Sequence, residues 1–104
     1  MQQRKIIDIV KRYTDSLKNY GFSLDAVYVF GSQIKGTMKK WSDIDVAVVS
    51  PFLRENNEEK RFMLWKLRRD IDLRIEPHAF MPEDWSNDSD PMVYEIKKTG
   101  LRVV

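Results

Sequence analysis

The sequence predicts a small α/β domain of the α+β type, with a mixed β-sheet flanked by helices. Three observations predict it. Ile6, Ile9, Val10, Tyr13, Leu17 and Tyr20 recur at helical spacing. Residues 26–30 and 46–49 are short apolar runs with the length and β-branched content of buried strands. A second helical pattern then separates those runs from a third strand-like stretch.

In chain order, residues 4–20 form a helix that covers one face of the sheet, and Gly21 serves as its C-cap. Ala26-Val27-Tyr28-Val29-Phe30 is a buried strand, and Val46-Ala47-Val48-Val49 continues a second strand beyond a pair of acids. Residues 55–69 read as a second helix with Phe62, Trp65 and Leu67 in otherwise charged surroundings. Residues 71–80 read as a long strand, with Pro77 near its edge or end because proline cannot donate to a ladder. Residues 82–85 make a short helical turn and 87–90 a loop. Residues 91–99 make a third helix capped by Gly100, and 101–104 a last short strand. The 104 residues are expected to be a single domain, 1–104, burying about two thirds of the unfolded surface and with no room for a second core.

Charged residues make up 33% of the chain, yet 18 basic and 16 acidic side chains leave a net charge of only +2. Strong nucleic-acid binding is therefore not expected, since it depends on concentrated positive charge. The clusters Lys39-Lys40 and 66–69 read as solvated faces and charges that complement a helix dipole. With no cysteine and one histidine, disulfides, thiol nucleophiles and Cys/His zinc sites fall away, so any bound metal is expected to be oxygen-bound. The first residues lack a signal-type apolar stretch and no run is long enough to span a membrane, which points to a cytoplasmic protein.

The chemistry-bearing stretch is Gly31-Ser32, ten residues, then Asp43-Ile44-Asp45. On a strand the i, i+2 spacing turns both carboxylates to one face, where they repel unless a cation sits between them. Gly-Ser after a strand is by itself an ordinary turn, and Asp-x-Asp a common solvated edge. The apolar context of Ile44 and Val46 to Val49 raises the cost of burying unpaired acids, and so favours a cation. Hard oxygen ligands of this kind suit Mg²⁺ together with substrate phosphates, and the reading is metal-assisted phosphoryl chemistry.

Residues 29–37 together with Ser42-Asp43-Ile44-Asp45-Val46 resemble the signature of the polymerase-β-like nucleotidyltransferase superfamily in its minimal form, the MNT family. A third acid is expected on a later strand. Asp70-Ile71-Asp72-Leu73-Arg74, preceded by Arg68 and Arg69, looks like the corresponding strand of X-family DNA polymerases and makes Asp72 the match. Glu76 shares the face of Asp72 on a regular strand and is a rival third ligand; its alternative role is a salt bridge with Arg74.

The resemblance implies the superfamily's fold and a two-ion reaction. Asp43 and Asp45 would bridge two Mg²⁺ ions, and Asp72 would hold the second and orient the attacking hydroxyl. Gly31, Ser32, Lys35 and Gly36 would bind the triphosphate, ATP being the expected nucleotide. Relatives often have a small residue where Ile34 stands and an arginine at Gln33 or Lys35. His78 reads as a hydrogen-bonded structural residue or a base near the site, and Trp41, Trp65 and Trp85 as core or partner-facing aromatics.

The resemblance further implies transfer of NMP onto a hydroxyl of a partner protein, an all-helical HEPN-type chain, with this chain as the antitoxin-like half of the pair. The competing reading is a non-catalytic nucleotide-binding module that masks a partner. Retention of the full acid set favours catalysis. Small-molecule modification would require an acceptor domain for which the 104 residues leave no room.

Overall fold

The computed structural model describes residues 2–31, 43–54 and 57–104. Helix α1 (Gln2–Tyr20) leads into strands β1 (Ala26–Phe30) and β2 (Ile44–Val49). A 3₁₀ turn at Pro51–Leu53, helix α2 (Asn57–Leu67) and a second 3₁₀ turn at Arg68–Asp70 precede β3 (Ile75–Phe80). Short helices α3 (Pro82–Trp85) and α4 (Pro91–Thr99) and the two-residue strand β4 (Leu101–Arg102) complete the described chain.

The sheet is mixed, in the order β3-β2-β1-β4. β1 pairs antiparallel with both β2 and β4, whereas β3 lies parallel to β2. A parallel pair needs a crossover, and the connection from β2 to β3 runs through α2. Pro77 lies within β3, on an edge strand, where a missing N–H is tolerated.

Strand alternation divides the sheet into two faces. Val27, Val29, Ile44, Val46, Val48 and Ile75 pack with Ile6, Val10, Tyr13 and Leu17 of α1, the helix stripe expected from its spacing. Gly21, at φ 125°, ends that helix by donating to the carbonyls of Leu17 and Lys18. Leu64 is fully buried in α2, and the Tyr13 hydroxyl donates to its carbonyl at 2.6 Å, fastening α1 to α2. Phe62 and Trp65 instead stand 57% and 42% exposed, so the largest aromatics of that helix are not its core anchors.

On the opposite face Ala26, Ala47, Val49 and Phe80 pack under Val93 and Ile96 of α4, with Tyr28, Phe30 and Trp85 alongside. Asp90 caps α4 by accepting from Met92 and Val93 while Pro91 fills the first helical position. Gly100 follows in extended backbone (φ −77°) and donates to Ile96 at 2.7 Å. Where β2 begins, the same face carries the polar pair Asp45 and Glu76, with Phe30 beside Asp45 on β1.

Two expected elements are corrected. The third strand starts at Ile75 rather than residue 71, because the chain after α2 continues through a 3₁₀ turn and a tight turn at 71–74. The last strand is limited to Leu101–Arg102. No helix among the described residues is long and apolar enough to cross a membrane.

Candidate functional site

Asp45 occupies the second position of β2 and points to the α4 face, on the same side as Ala47 and Val49. Asp43 precedes the strand and is exposed. Parallel register sets Asp45 beside Glu76 and Ala47 beside His78, so Glu76 and His78, two residues apart on β3, share the face of Asp45. His78 Nε2 lies 3.2 Å from Asp45 Oδ1 and 3.8 Å from Glu76 Oε1. Asp45, Glu76 and His78 each offer one ligand atom, and those atoms all lie within 4.8 Å of one another.

The electrostatics are those of crowded acids. Burial, a side-chain hydrogen bond with Asp43 and the charge of Asp45 hold the Glu76 carboxyl above its ordinary value, with His78 opposing them. A divalent cation would relieve this crowding, and the mixed oxygen and nitrogen donors are of a type that binds one.

The turn after β1 completes the geometry. Phe30 pairs with Asp45 across the antiparallel ladder, which brings Gly31 against the acid. Gly31 has φ 83°, and a Cβ built on it would collide with the Asp45 carboxylate. Only glycine both adopts that backbone and leaves the carboxylate in place. Ser32, Lys35, Gly36 and Trp41, expected to bind triphosphate or pack, lie outside the described residues.

Asp72 is placed elsewhere. It sits in the turn before β3, where its Oδ1 accepts from the Arg74 N–H and Nε, and its Oδ2 from Nη2 at 2.8 Å. That bidentate pair holds the Asp72 carboxyl below its ordinary value. Arg74, the partner considered for Glu76, is thus paired with Asp72. The pair's stabilisation is fully present above the ordinary carboxylate pKa and is lost as pH falls through the depressed one. Asp72→Asn is therefore expected to cost about 1 kcal/mol near neutral pH. In urea unfolding, the difference from wild type should shrink in acid.

The sequence marks Asp43, Asp45 and Glu76 as acid candidates and His78 mainly as a structural residue. The signal that could have raised it is the alternation Glu76-Pro77-His78, which sets both side chains on one face once β3 starts at Ile75. Phe30, a strand residue by sequence pattern, sets its ring 5.2 Å from that of His78.

Residues 4–98 match the family model described as a nucleotidyltransferase domain. The chain belongs to that family. It is accordingly a transferase enzyme of the nucleotidyl class, in agreement with the resemblance read from the Gly31-Ser32 and Asp43-Ile44-Asp45 motifs. No curated protein matches it. Among solved structures, the fold is similar to that of a Sulfolobus solfataricus protein named as a candidate nucleotidyltransferase. The TM-score is 0.65 at 21% identity, covering 97% of this chain and 81% of the other. The mixed four-stranded sheet with its helices is thus a nucleotidyltransferase fold.

Proposed function

We infer that this nucleotidyltransferase moves a nucleoside monophosphate, AMP from ATP by the family resemblance, onto a hydroxyl carried by a partner protein. The observation that supports this reading best is the pairing of Asp45 with Glu76 across β2 and β3, beside the Gly31 turn. In the reaction the acceptor oxygen bonds to the α-phosphorus and the bond from that phosphorus to the β-phosphate bridge breaks. Pyrophosphate leaves, and the hydroxyl proton passes by way of the carboxylates to water.

Asp43, Asp45 and Glu76 would hold divalent cations, Mg²⁺ entering with the triphosphate. When bound, such ions neutralise charge building on the phosphate oxygens and lower the pKa of the attacking hydroxyl. The chain's own contribution is positional. Asp45 and Glu76 are fixed by strand register, and the absence of a side chain at Gly31 leaves room for the Asp45 carboxylate. The third-acid role that the resemblance lends to Asp72 passes to Glu76 in this proposal, because Asp72 is committed to Arg74.

The Asp45, Glu76 and His78 side chains are 25%, 39% and 26% exposed, and a rim site of this kind suits an acceptor presented on a protein surface. An HEPN-type helical partner bearing a Tyr, Ser or Thr hydroxyl is the proposed acceptor, in the cytoplasm, with this chain as the antitoxin-like half of the pair. The test is incubation of the chain and its co-purified proteins with Mg²⁺ and each of the four labelled NTPs, followed by mass spectrometry. AMP on a side-chain hydroxyl of a partner supports the reading. Label on RNA ends or on free small molecules alone overturns it.

A further inference from the structure

Phosphoryl transfer at a carboxylate site has no requirement for imidazole, yet the fold brings one into the acid cluster. The side chains of Glu76 and His78 emerge on the same side of β3, and register sets Asp45 against them from β2. His78 Nε2 is 3.2 Å from Asp45 Oδ1 and 3.8 Å from Glu76 Oε1. A six-coordinate ion with bonds of about 2.1 Å separates adjacent ligands by about 3 Å and opposite ones by about 4.2 Å. The three donor atoms, all within 4.8 Å of one another, already lie close to the separations of one coordination shell. The Phe30 ring, 5.2 Å away and tilted by 59°, supports the imidazole from the β1 side. At 26% exposure the His78 side chain remains open to an ion arriving from solvent.

We propose that His78 is a direct ligand of the divalent cation held by Asp45 and Glu76, forming a nitrogen–oxygen–oxygen centre that selects Mn²⁺ or a later first-row ion over Mg²⁺. Mg²⁺ favours an all-oxygen octahedron, whereas imidazole binds the later divalent metals increasingly well along the Irving–Williams order. The nitrogen therefore adds discrimination that two carboxylates alone lack. Mg²⁺ still accompanies the triphosphate, so the resident ion and the substrate-borne ion differ in kind. This rests on reading the cluster as a metal centre, and the experiment separates the two claims.

The full chain is titrated with MnCl₂ and with MgCl₂ by calorimetry, and the Mn²⁺-loaded protein is examined by pulsed electron paramagnetic resonance for ¹⁴N coupling. Wild type should bind Mn²⁺ at least about tenfold more tightly than Mg²⁺ and show a directly coordinated nitrogen. His78→Gln, checked for native circular dichroism, should lose the nitrogen signal and most of the Mn²⁺ preference, with Mg²⁺ affinity changed by less than about threefold. The nitrogen signal in wild type needs no variant, so a poorly folding His78→Gln does not remove the test. Tight Mn²⁺ binding without nitrogen coupling overturns the His78 assignment, leaving it a hydrogen-bond partner of Asp45. Failure of wild type to bind either ion overturns the metal-centre reading itself.

Discussion

Glu76→Gln is expected to lower the rate of nucleotidyl transfer by roughly three orders of magnitude or more while leaving the fold intact. Gln keeps the size of Glu and a carbonyl acceptor but removes the charge that, with Asp45, would compensate a bound cation. Asp45→Asn should do the same from the neighbouring strand. Metal-free Glu76→Gln should also be slightly more stable than wild type, by roughly 0.5 kcal/mol, since a surface-level charge repulsion has been removed. The sign with pH follows from the direction of the shift. Glu76 is held above its ordinary value, so its cost to the folded state is fully present above the raised pKa and disappears as pH falls through it. The stability gain of the variant should accordingly be seen near neutral pH and vanish in acid. Asp72→Asn, by contrast, should retain transfer within about tenfold, because its carboxylate serves the turn before β3. A dead Asp72→Asn beside an active Glu76→Gln, measured with the same labelled nucleotide, would return the third-acid role to Asp72.

The contrast between those two acids shows where the sequence was legible and where it was not. The α1 stripe, the two motif strands and the span of α4 could be read directly. Each is set by local pattern: Ile6, Val10, Tyr13 and Leu17 on one helix face, Val27 and Val29 within β1, and Pro91 after the capping Asp90. Asp45 stands out in the sequence because an acid inside the apolar strand β2 breaks its pattern, and Asp43 lies just ahead of that strand. The choice between Asp72 and Glu76 depends on where β3 begins. Ile71, Leu73 and Ile75 alternate as a strand would, but Asp72 bonds Arg74 from two residues away and its carbonyl accepts from Ile75, closing a turn that alternation cannot reveal. The place of His78 was hidden for a different reason. The parallel register that sets Ala47 beside His78 brings its ring to Asp45, 33 residues away in sequence, and no local pattern encodes that register. Phe62 and Trp65 show the converse, since helical spacing marks apolar positions without saying which of them the sheet will cover.

Saturating divalent cation should raise the melting temperature of the wild-type chain by roughly 10–20 °C, and Asp45→Asn should abolish that rise. An ion that binds the folded state alone contributes RT ln(1 + [L]/Kd), about 2.7 kcal/mol at a hundredfold excess over Kd. For a domain of about this size each kcal/mol moves the midpoint by roughly 4–8 °C. The folded state is the one that gathers the ligands, because Asp45 and Glu76 become neighbours only when β3 pairs with β2. The same assembly crowds Asp43 and Asp45 against Glu76, and His78 opposes that repulsion only in part, so the metal-free protein bears a repulsion that the variant does not. The two chains should therefore change order. In chelator, Asp45→Asn should melt at or slightly above wild type; with Mn²⁺ or Mg²⁺ it should melt well below. Differential scanning fluorimetry across a metal titration reads both limits, and calorimetry gives the Kd against which the shift is scaled. Destabilisation of Asp45→Asn in chelator would show that Asp45 holds the β1–β2 ladder and the Gly31 turn in place rather than storing repulsion for a cation. An unchanged wild-type midpoint at high metal would remove the cation from the site altogether.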